Sequence, residues 1–389
     1  MRGHEQLLAD IRKRIPEVAP QEAFALQACG AALIDVREQD EISDGTAAGA
    51  MTLSRAFLEL RIEALVPDLD RPILVMCASG LRSLLAADNL ARLGYTSVRS
   101  VSGGFVRWKA ERLPIESREV LDATARDRYS RHLRVPEIGE SGQLKLARSK
   151  VLIVGAGGLG SPAAFYLAAA GVGTIGLVDD DLVERSNLQR QILHTDARVG
   201  TPKIVSGRLT LEALNPDVHV IGHQTRLTKD NVEEIFEGYD VVVDGSDNFP
   251  TRYLINDACV KTGIPNVYGA VMRFEGQASV FWPSRPNHRG PCYRCLFPEP
   301  PSASNSPSCA EAGVVGVLPG IVGLLQANEA IKVLLNIGEP LTGRVLSFDA
   351  LQGSFSEFRF APDPACPHCS KGRQFPGYTD YEQFCAVQA

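Results

Sequence analysis

Short apolar runs alternate with helical patterns along most of the chain. AALIDVR (31–37) and PILVMCA (72–78) are continuous hydrophobic stretches of strand length, and RSLLAADNLARLGY (82–95) spaces its leucines as an amphipathic helix does. Strand, helix, strand in that order predicts a parallel sheet with helices on its faces. The polar stretch PIESREVLDATARDRYSRH (114–132) interrupts the pattern; it has no strand character and reads as a linker merging into a helix. A second α/β series follows, with Lys150-VLIVG, a glycine turn, SPAAFYLAAAG (161–171) and GTIGLVD (173–179). Further buried strands are expected at DVHVIGH (217–223), DVVVDGSD (240–247) and IPNVYGA (264–270), and a late helix at VVGVLPGIVGLLQANEAIKVLLN (314–336). The Ser/Pro-rich tract PEPPSASNSPS (298–308) reads as a mobile loop.

One stretch imitates a membrane span. Val151 to Val178 carries no charge, but seven glycines and Pro162 cut it into strand, turn, helix and strand, so no membrane role is expected. Of the 389 residues, 44% are hydrophobic and 22% charged, enough apolar material for two or three cores at roughly 150 residues per domain. A net charge of -6 argues against a nucleic-acid partner, which needs a basic face. The amino terminus has no uninterrupted apolar region of the secretory kind, and nine cysteines in so long a chain point to thiolate chemistry or metal in a reducing cytoplasm.

CASGLRS (77–83) ends an apolar strand and opens a helix. That places Cys77 where unpaired backbone N–H groups and the helix dipole favour an anion, with Arg82 and Ser83 adding a cation and a hydroxyl. Such a cradle suits a nucleophilic thiolate or a persulfide. Phosphatase loops place five residues between Cys and Arg; four separate Cys77 from Arg82, which fits a terminal sulfur better than a phosphate. The segment resembles a rhodanese homology domain through LIDVRE, with Asp35 and Arg37, and through VSGGFVRW near Trp108. It departs from that family at TAAGAMTL (46–53).

Gly155-Ala-Gly157-Gly158-Leu-Gly160 follows a strand and opens a helix, and Asp179 ends the next strand. Glycines there let backbone approach phosphate, and the acid can reach ribose hydroxyls. Alone, the loop does not separate a nicotinamide cofactor from ATP. Asn187, Arg190, Gln191 and Lys203 follow closely, a density of polar and cationic groups suited to expelling pyrophosphate. Asp247, in VVVDGSDN, would lie at the ligand edge of the sheet and could hold Mg2+.

These residues resemble the MoeB/ThiF family, bacterial relatives of ubiquitin-activating enzymes, from about Arg128 to Ser370: GAGGLG, SNLQRQ, GTPK, DGSDN, EGQ, PCYRC, AEAGV and a closing CxxC. The resemblance implies that Asp179 binds ribose, that Asn187, Arg190 and Lys203 contact the triphosphate of ATP, and that Asp247 holds magnesium. Ser186, Leu188, Gln189 and Asn248 share the binding segments. Arg131 matches a helix arginine that in this family reaches a neighbouring subunit's ATP site, which implies a homodimer.

Cys292 and Cys295 in PCYRC, with Cys366 and Cys369 in CPHC, read as a structural Zn2+ site, and a pair of redox dithiols is the competing reading. His368 is then a spacer. Cys309, after the Ser/Pro-rich tract, matches a position that is a candidate for covalent linkage to the carrier in the resembling family. Cys259 reads as a helix-core residue.

The expected architecture is therefore α/β. A rhodanese-like domain (1–118) and a linker (119–127) precede a Rossmann-like adenylating domain (128–370) with a mainly parallel sheet, and a tail (371–389) follows. The expected activity is ATP-dependent adenylation of the C-terminal glycine of a ubiquitin-fold sulfur-carrier protein (MoaD/ThiS-like). Sulfur then moves from a Cys77 persulfide, directly or through Cys309, to give a thiocarboxylate. A cysteine desulfurase or thiosulfate would supply the sulfur. The motif set leans toward molybdopterin biosynthesis; thiamine, tRNA-thiolation and natural-product carriers remain alternatives. So do a rhodanese domain that only docks, a nicotinamide oxidoreductase and a zinc-stabilised scaffold.

Overall fold

Two four-residue strands at the centre of the first sheet, Ala32–Asp35 and Ile73–Met76, are buried at every position. Ile34 and Val75 pack on one face, and Leu33, Leu74 and Met76 on the other, so each strand feeds two cores. The computed structural model describes residues 3–42, 45–116, 120–300 and 313–386. Its contacts fall into two compact units, Met1–Asp127 and Arg128–Ala389.

In the first unit the strands are β1 (Glu17–Val18), β2 (Ala32–Asp35), β3 (Thr46–Ala47), β4 (Met51–Thr52), β5 (Ile73–Met76), β6 (Val98–Val101) and β7 (Ile115–Glu116). Five form a wholly parallel sheet in the order β1-β6-β5-β2-β4. The expectation that the stretch from Pro114 lacks strand character needs correcting, because β7 pairs antiparallel with β3 and sets Ile115 opposite Ala47. A two-residue pairing leaves no periodicity to read.

The second unit holds an eight-stranded sheet of β8 (Lys150–Val154), β9 (Thr174–Val178), β10 (His219–His223), β11 (Val241–Asp244), β12 (Asn266–Met272), β13 (Glu275–Phe281), β14 (Arg344–Asp349) and β15 (Ser354–Arg359). The order is β10-β9-β8-β11-β12-β13-β14-β15, parallel through β12 and antiparallel beyond it. DVHVIGH was expected to be buried. As β10 it is an edge strand in which only Val220 is buried. The late helix begins at Val317, since Val314 is held in a bridge to Arg273.

That helix, Val317–Leu335, is the one among the described residues long and apolar enough to cross a bilayer. Its buried residues pack on β12, β13 and the Gly160–Ala169 helix, and it buries Gln326 and Glu329. Gln326 donates to the Asp244 and Val267 carbonyls, so the helix is stitched to the sheet by polar bonds a lipid-facing helix would lack. Residues after the last CxxC fold back: Tyr381–Ala386 is a helix packed on Phe249–Thr262.

Candidate functional site

From β8, neighbouring strands run outward in both directions, through β9 to β10 and through β11 to β12. Such a switch point opens a crevice at the carboxyl ends of the strands. A cavity of about 350 Å3 lies there, lined by Gly155, Gly157, Gly158, Asp179, Arg190, Lys203, Asp247 and Asn248. Two glycines are sterically required. Gly155 has φ +94° and a Cβ there would lie 2.7 Å from the Gly245 carbonyl oxygen, while one on Gly160 would lie 1.9 Å from that of Gly155. Gly160 therefore closes the turn and starts its helix without lining the cavity.

Asp179 accepts from the Ala156 and Asp181 N–H groups at 2.8 and 2.9 Å. Burial pushes its carboxyl above the usual range, and Lys203 opposes that shift. Lys203 donates to Asp181 at 2.6 Å. Arg190 donates to Asn187 Oδ1 at 2.9 Å, so Asn187, which does not line the cavity, orients the guanidinium that does. Beneath Asp247 the buried Asp244 accepts from the Ser246 N–H and hydroxyl, at 3.0 and 2.5 Å, and fixes the loop.

Ser186, Leu188 and Gln189 do not line the cavity. Gln189 instead packs at Gly316, where a Cβ would meet its carbonyl oxygen at 2.2 Å. Arg131 is exposed in a turn after the Ala123–Arg128 helix, not on a helix, and does not line the cavity. Cys309 lies outside the described residues.

In the first unit Cys77 follows β5 and is fully buried. The Gly80 N–H donates to its Sγ at 3.1 Å, and Ser83 Oγ is 3.5 Å away. The Cys77 and Ala78 carbonyls accept from Phe105 and Val106, at the start of the Gly104–Ala110 helix, at 2.8 and 3.1 Å. Each trans peptide opposes its carbonyl and the following N–H, so the Ala78 and Ser79 N–H groups point away from that helix. Arg82, on the next helix, makes a two-pronged ion pair with Glu41. Arg37 is structural: it clamps buried Asp35, donates to the Glu41 and Gly45 carbonyls, and lies 3.8 Å from the Phe105 ring centre.

The sulfurs of Cys292, Cys295, Cys366 and Cys369 gather in one cluster. Sγ separations are 3.8, 3.6 and 3.4 Å for the pairs 292–295, 292–366 and 295–369. A tetrahedron of thiolates 2.3 Å from zinc has edges of about 3.8 Å, so four soft donors at this spacing fit Zn2+. Mutual hydrogen bonding pulls the Cys366 thiol down and pushes that of Cys292 up. His368 contributes no atom to the cluster; its Nε2 lies 3.5 Å from Asp257.

The ThiF family profile matches residues 129–368 and the rhodanese-like domain profile residues 19–111. The chain belongs to the ThiF family. Similar relatives include the SAMP-activating enzyme E1 of Haloferax volcanii, 53% identical over 268 residues, which are 69% of this chain and 97% of that protein. The sulfur carrier protein adenylyltransferase of Thermus thermophilus is 52% identical over 263 residues, 67% and 97% of the two chains. The adenylyltransferase and sulfurtransferase MOCS3 of Xenopus laevis is 42% identical over 305 residues, 78% and 67% of the two. Among solved structures, E. coli MccB aligns with TM-score 0.57 at 22% identity over 65% of this chain and 75% of that one, a likeness of fold.

In this ThiF-family chain the cavity also has cationic lining from outside the motifs. Arg226, after β10, and Arg252, on the Phe249–Thr262 helix, line the same cavity, and Arg252 lies 5.4 Å from the Tyr268 ring centre. Neither belongs to a motif; only the parallel topology, which brings every strand end to one edge, could have nominated them. Near the cysteine cluster Asp257 is fully buried and receives Arg294 through two bonds of 2.8 and 2.9 Å and the Tyr381 hydroxyl at 2.8 Å.

Proposed function

We propose that the second unit adenylates the C-terminal glycine carboxylate of a ubiquitin-fold sulfur carrier and that the first unit delivers sulfur to it. The observation that carries this reading is a glycine-loop cavity lined by Arg190, Lys203, Arg226 and Arg252, in a chain with a cysteine cradle on a rhodanese-like unit. A nicotinamide needs no such charge; a triphosphate does.

Asp179 takes the ribose hydroxyls and the Gly157 and Gly158 amides meet the phosphates. Arg190, oriented by Asn187, and Lys203 neutralise the leaving pyrophosphate as the carrier carboxylate attacks the α-phosphorus. The exposed Asp247 offers one hard oxygen donor at the cavity, the provision Mg2+ commonly takes alongside phosphate oxygens, and Asn248 borders it. Magnesium held there would neutralise phosphate charge. Zinc on the four thiolates would have no open position and would supply structure alone.

A persulfide on Cys77 then attacks the acyl adenylate, forming an acyl disulfide and releasing AMP. A second thiolate attacks Cys77 Sγ, expels the thiocarboxylate and leaves a disulfide for an external thiol to reduce. Cys309 is the proposed second thiol, and Arg131 the residue shared across a homodimer. Cys77 is fully buried, so loading requires the cradle to open at its rim, where Leu81 and Arg82 reach the surface. A cysteine desulfurase or thiosulfate would be the donor, the molybdopterin carrier the preferred acceptor, and the cytoplasm the compartment.

Carrier-dependent exchange of pyrophosphate into ATP tests the adenylation step. It is expected with wild type and expected to fall at least about tenfold in Asp247→Ala. Exchange without carrier, or none at all, overturns the reading.

A further inference from the structure

Resting on the adenylating role proposed above, one more residue is assigned to nucleotide binding without touching nucleotide. His194 is 5% exposed, between the SNLQRQ segment and the Lys203–Leu214 helix. Its Nε2 lies 2.9 Å from the Ala156 carbonyl oxygen and its Nδ1 lies 3.0 Å from Ser206 Oγ. A carbonyl only accepts, so Nε2 carries the proton. Burial pushes the imidazole below its usual range, so it is neutral, and Nδ1 accepts from the Ser206 hydroxyl.

Ala156 sits in the centre of the glycine loop. Its carbonyl and the Gly157 N–H belong to one trans peptide and point in opposite directions. Fixing the carbonyl on His194 therefore aims the Gly157 N–H the other way, and Gly157 lines the cavity. Among the described residues the Gly157 amide donates to no protein group, which leaves it for a ligand. On the preceding peptide, the Ala156 N–H is held by Asp179 at 2.8 Å. The loop is thus pinned on two successive peptides, by the ribose acid and by His194, whose 2.9 Å bond to the Ala156 carbonyl is much shorter than the 3.5 Å one from the Ser161 hydroxyl. Ser206 lies one turn along the helix that begins at Lys203, so one helix supplies both a phosphate cation and the support for the imidazole.

We infer that His194 is a positioning residue for phosphate recognition: it locks the Ala156–Gly157 peptide so that the Gly157 amide meets the phosphate chain of ATP. Ser206 holds the ring in the required tautomer.

The test is calorimetric binding of ATP and of adenosine to the full chain and its variants, with melting temperatures recorded. His194→Leu is expected to weaken ATP by about tenfold or more, the share of one hydrogen bond to a charged group, while adenosine affinity stays within about twofold. His194→Gln, which retains an N–H near Nε2, is expected to recover most of the ATP affinity, and Ser206→Ala to lose part of it. In carrier-dependent exchange the KM for ATP rises while that for carrier holds. Unchanged ATP affinity in His194→Leu, or equal losses for ATP and adenosine, overturns the assignment. Should His194→Leu fail to fold, Ser206→Ala decides by the same ATP-to-adenosine comparison. Wild type that binds no ATP would instead remove the adenylation reading itself.

Discussion

Lys203 Nζ lies 3.7 Å from Asp179 Oδ1, with the two side chains only 6% and 8% exposed. Burial raises the Asp179 carboxyl above the usual 3.8, and the ammonium is the largest influence holding it down. The proposed contact of Asp179 with ribose hydroxyls needs the ionised carboxylate, so ATP affinity is expected to fall on acidification at a higher pH than an ordinary aspartate would set. Lys203→Ala is expected to move that midpoint further up as well as weaken ATP, which a series of binding titrations across pH would read. The stability effect has the opposite sign. Asp179 holds its proton more firmly folded than unfolded, so its contribution is full below 3.8 and is lost as pH rises through the folded value. An unmoved midpoint in the variant would show the two groups to be uncoupled.

Cys77→Ala should separate the two half-reactions. Pyrophosphate exchange continues at the wild-type rate, while thiocarboxylate formation drops to background. The cradle itself is tested by Gly104→Ala, because a Cβ there would lie 2.2 Å from the Cys77 carbonyl oxygen and the residue has φ +56°. That variant should lose sulfur loading on Cys77 and keep exchange; retention of both activities would mean that the outward-held carbonyl does not matter.

How much of this was legible beforehand depended on how local each feature is. The Gly155–Gly160 and Cys77–Ser83 loops each sit between an apolar strand and a helix, and strand, breaker and helix are read within a dozen residues. β15 gave no such pattern, being exposed at all six positions with no buried face to alternate against. The carboxyl-terminal segment passed as a tail because its anchor, Tyr381 on Asp257, joins residues 124 apart. The two CxxC pairs were legible as one four-cysteine site because thiolate pairs at that spacing carry their own chemistry, and the fold brings them together across 74 residues.

That anchor predicts a stability defect remote from the chemistry. Asp257 is the common acceptor for Arg294 and Tyr381, and Arg294 lies 4.7 and 4.9 Å from the Tyr253 and Phe384 ring centres. Asp257→Asn leaves a buried guanidinium without its counter-charge, at a cost of about 3–5 kcal/mol in unfolding free energy. Denaturant unfolding would register it, and a loss below about 1 kcal/mol would contradict the closed network.

Metal content offers an independent check. The purified protein should carry one zinc per chain, and Cys292→Ser or Cys366→Ser should lose it together with melting temperature. A chelator should reproduce the destabilisation. Full thermal stability after zinc removal would favour the dithiol reading.

The most direct test is the intact mass of a ubiquitin-fold carrier ending in glycine after incubation with this protein, ATP, magnesium and a sulfur donor. The account predicts replacement of one terminal oxygen by sulfur, dependent on ATP and on Cys77. A carrier whose mass is unchanged, or one that gains sulfur equally well without nucleotide, would contradict it.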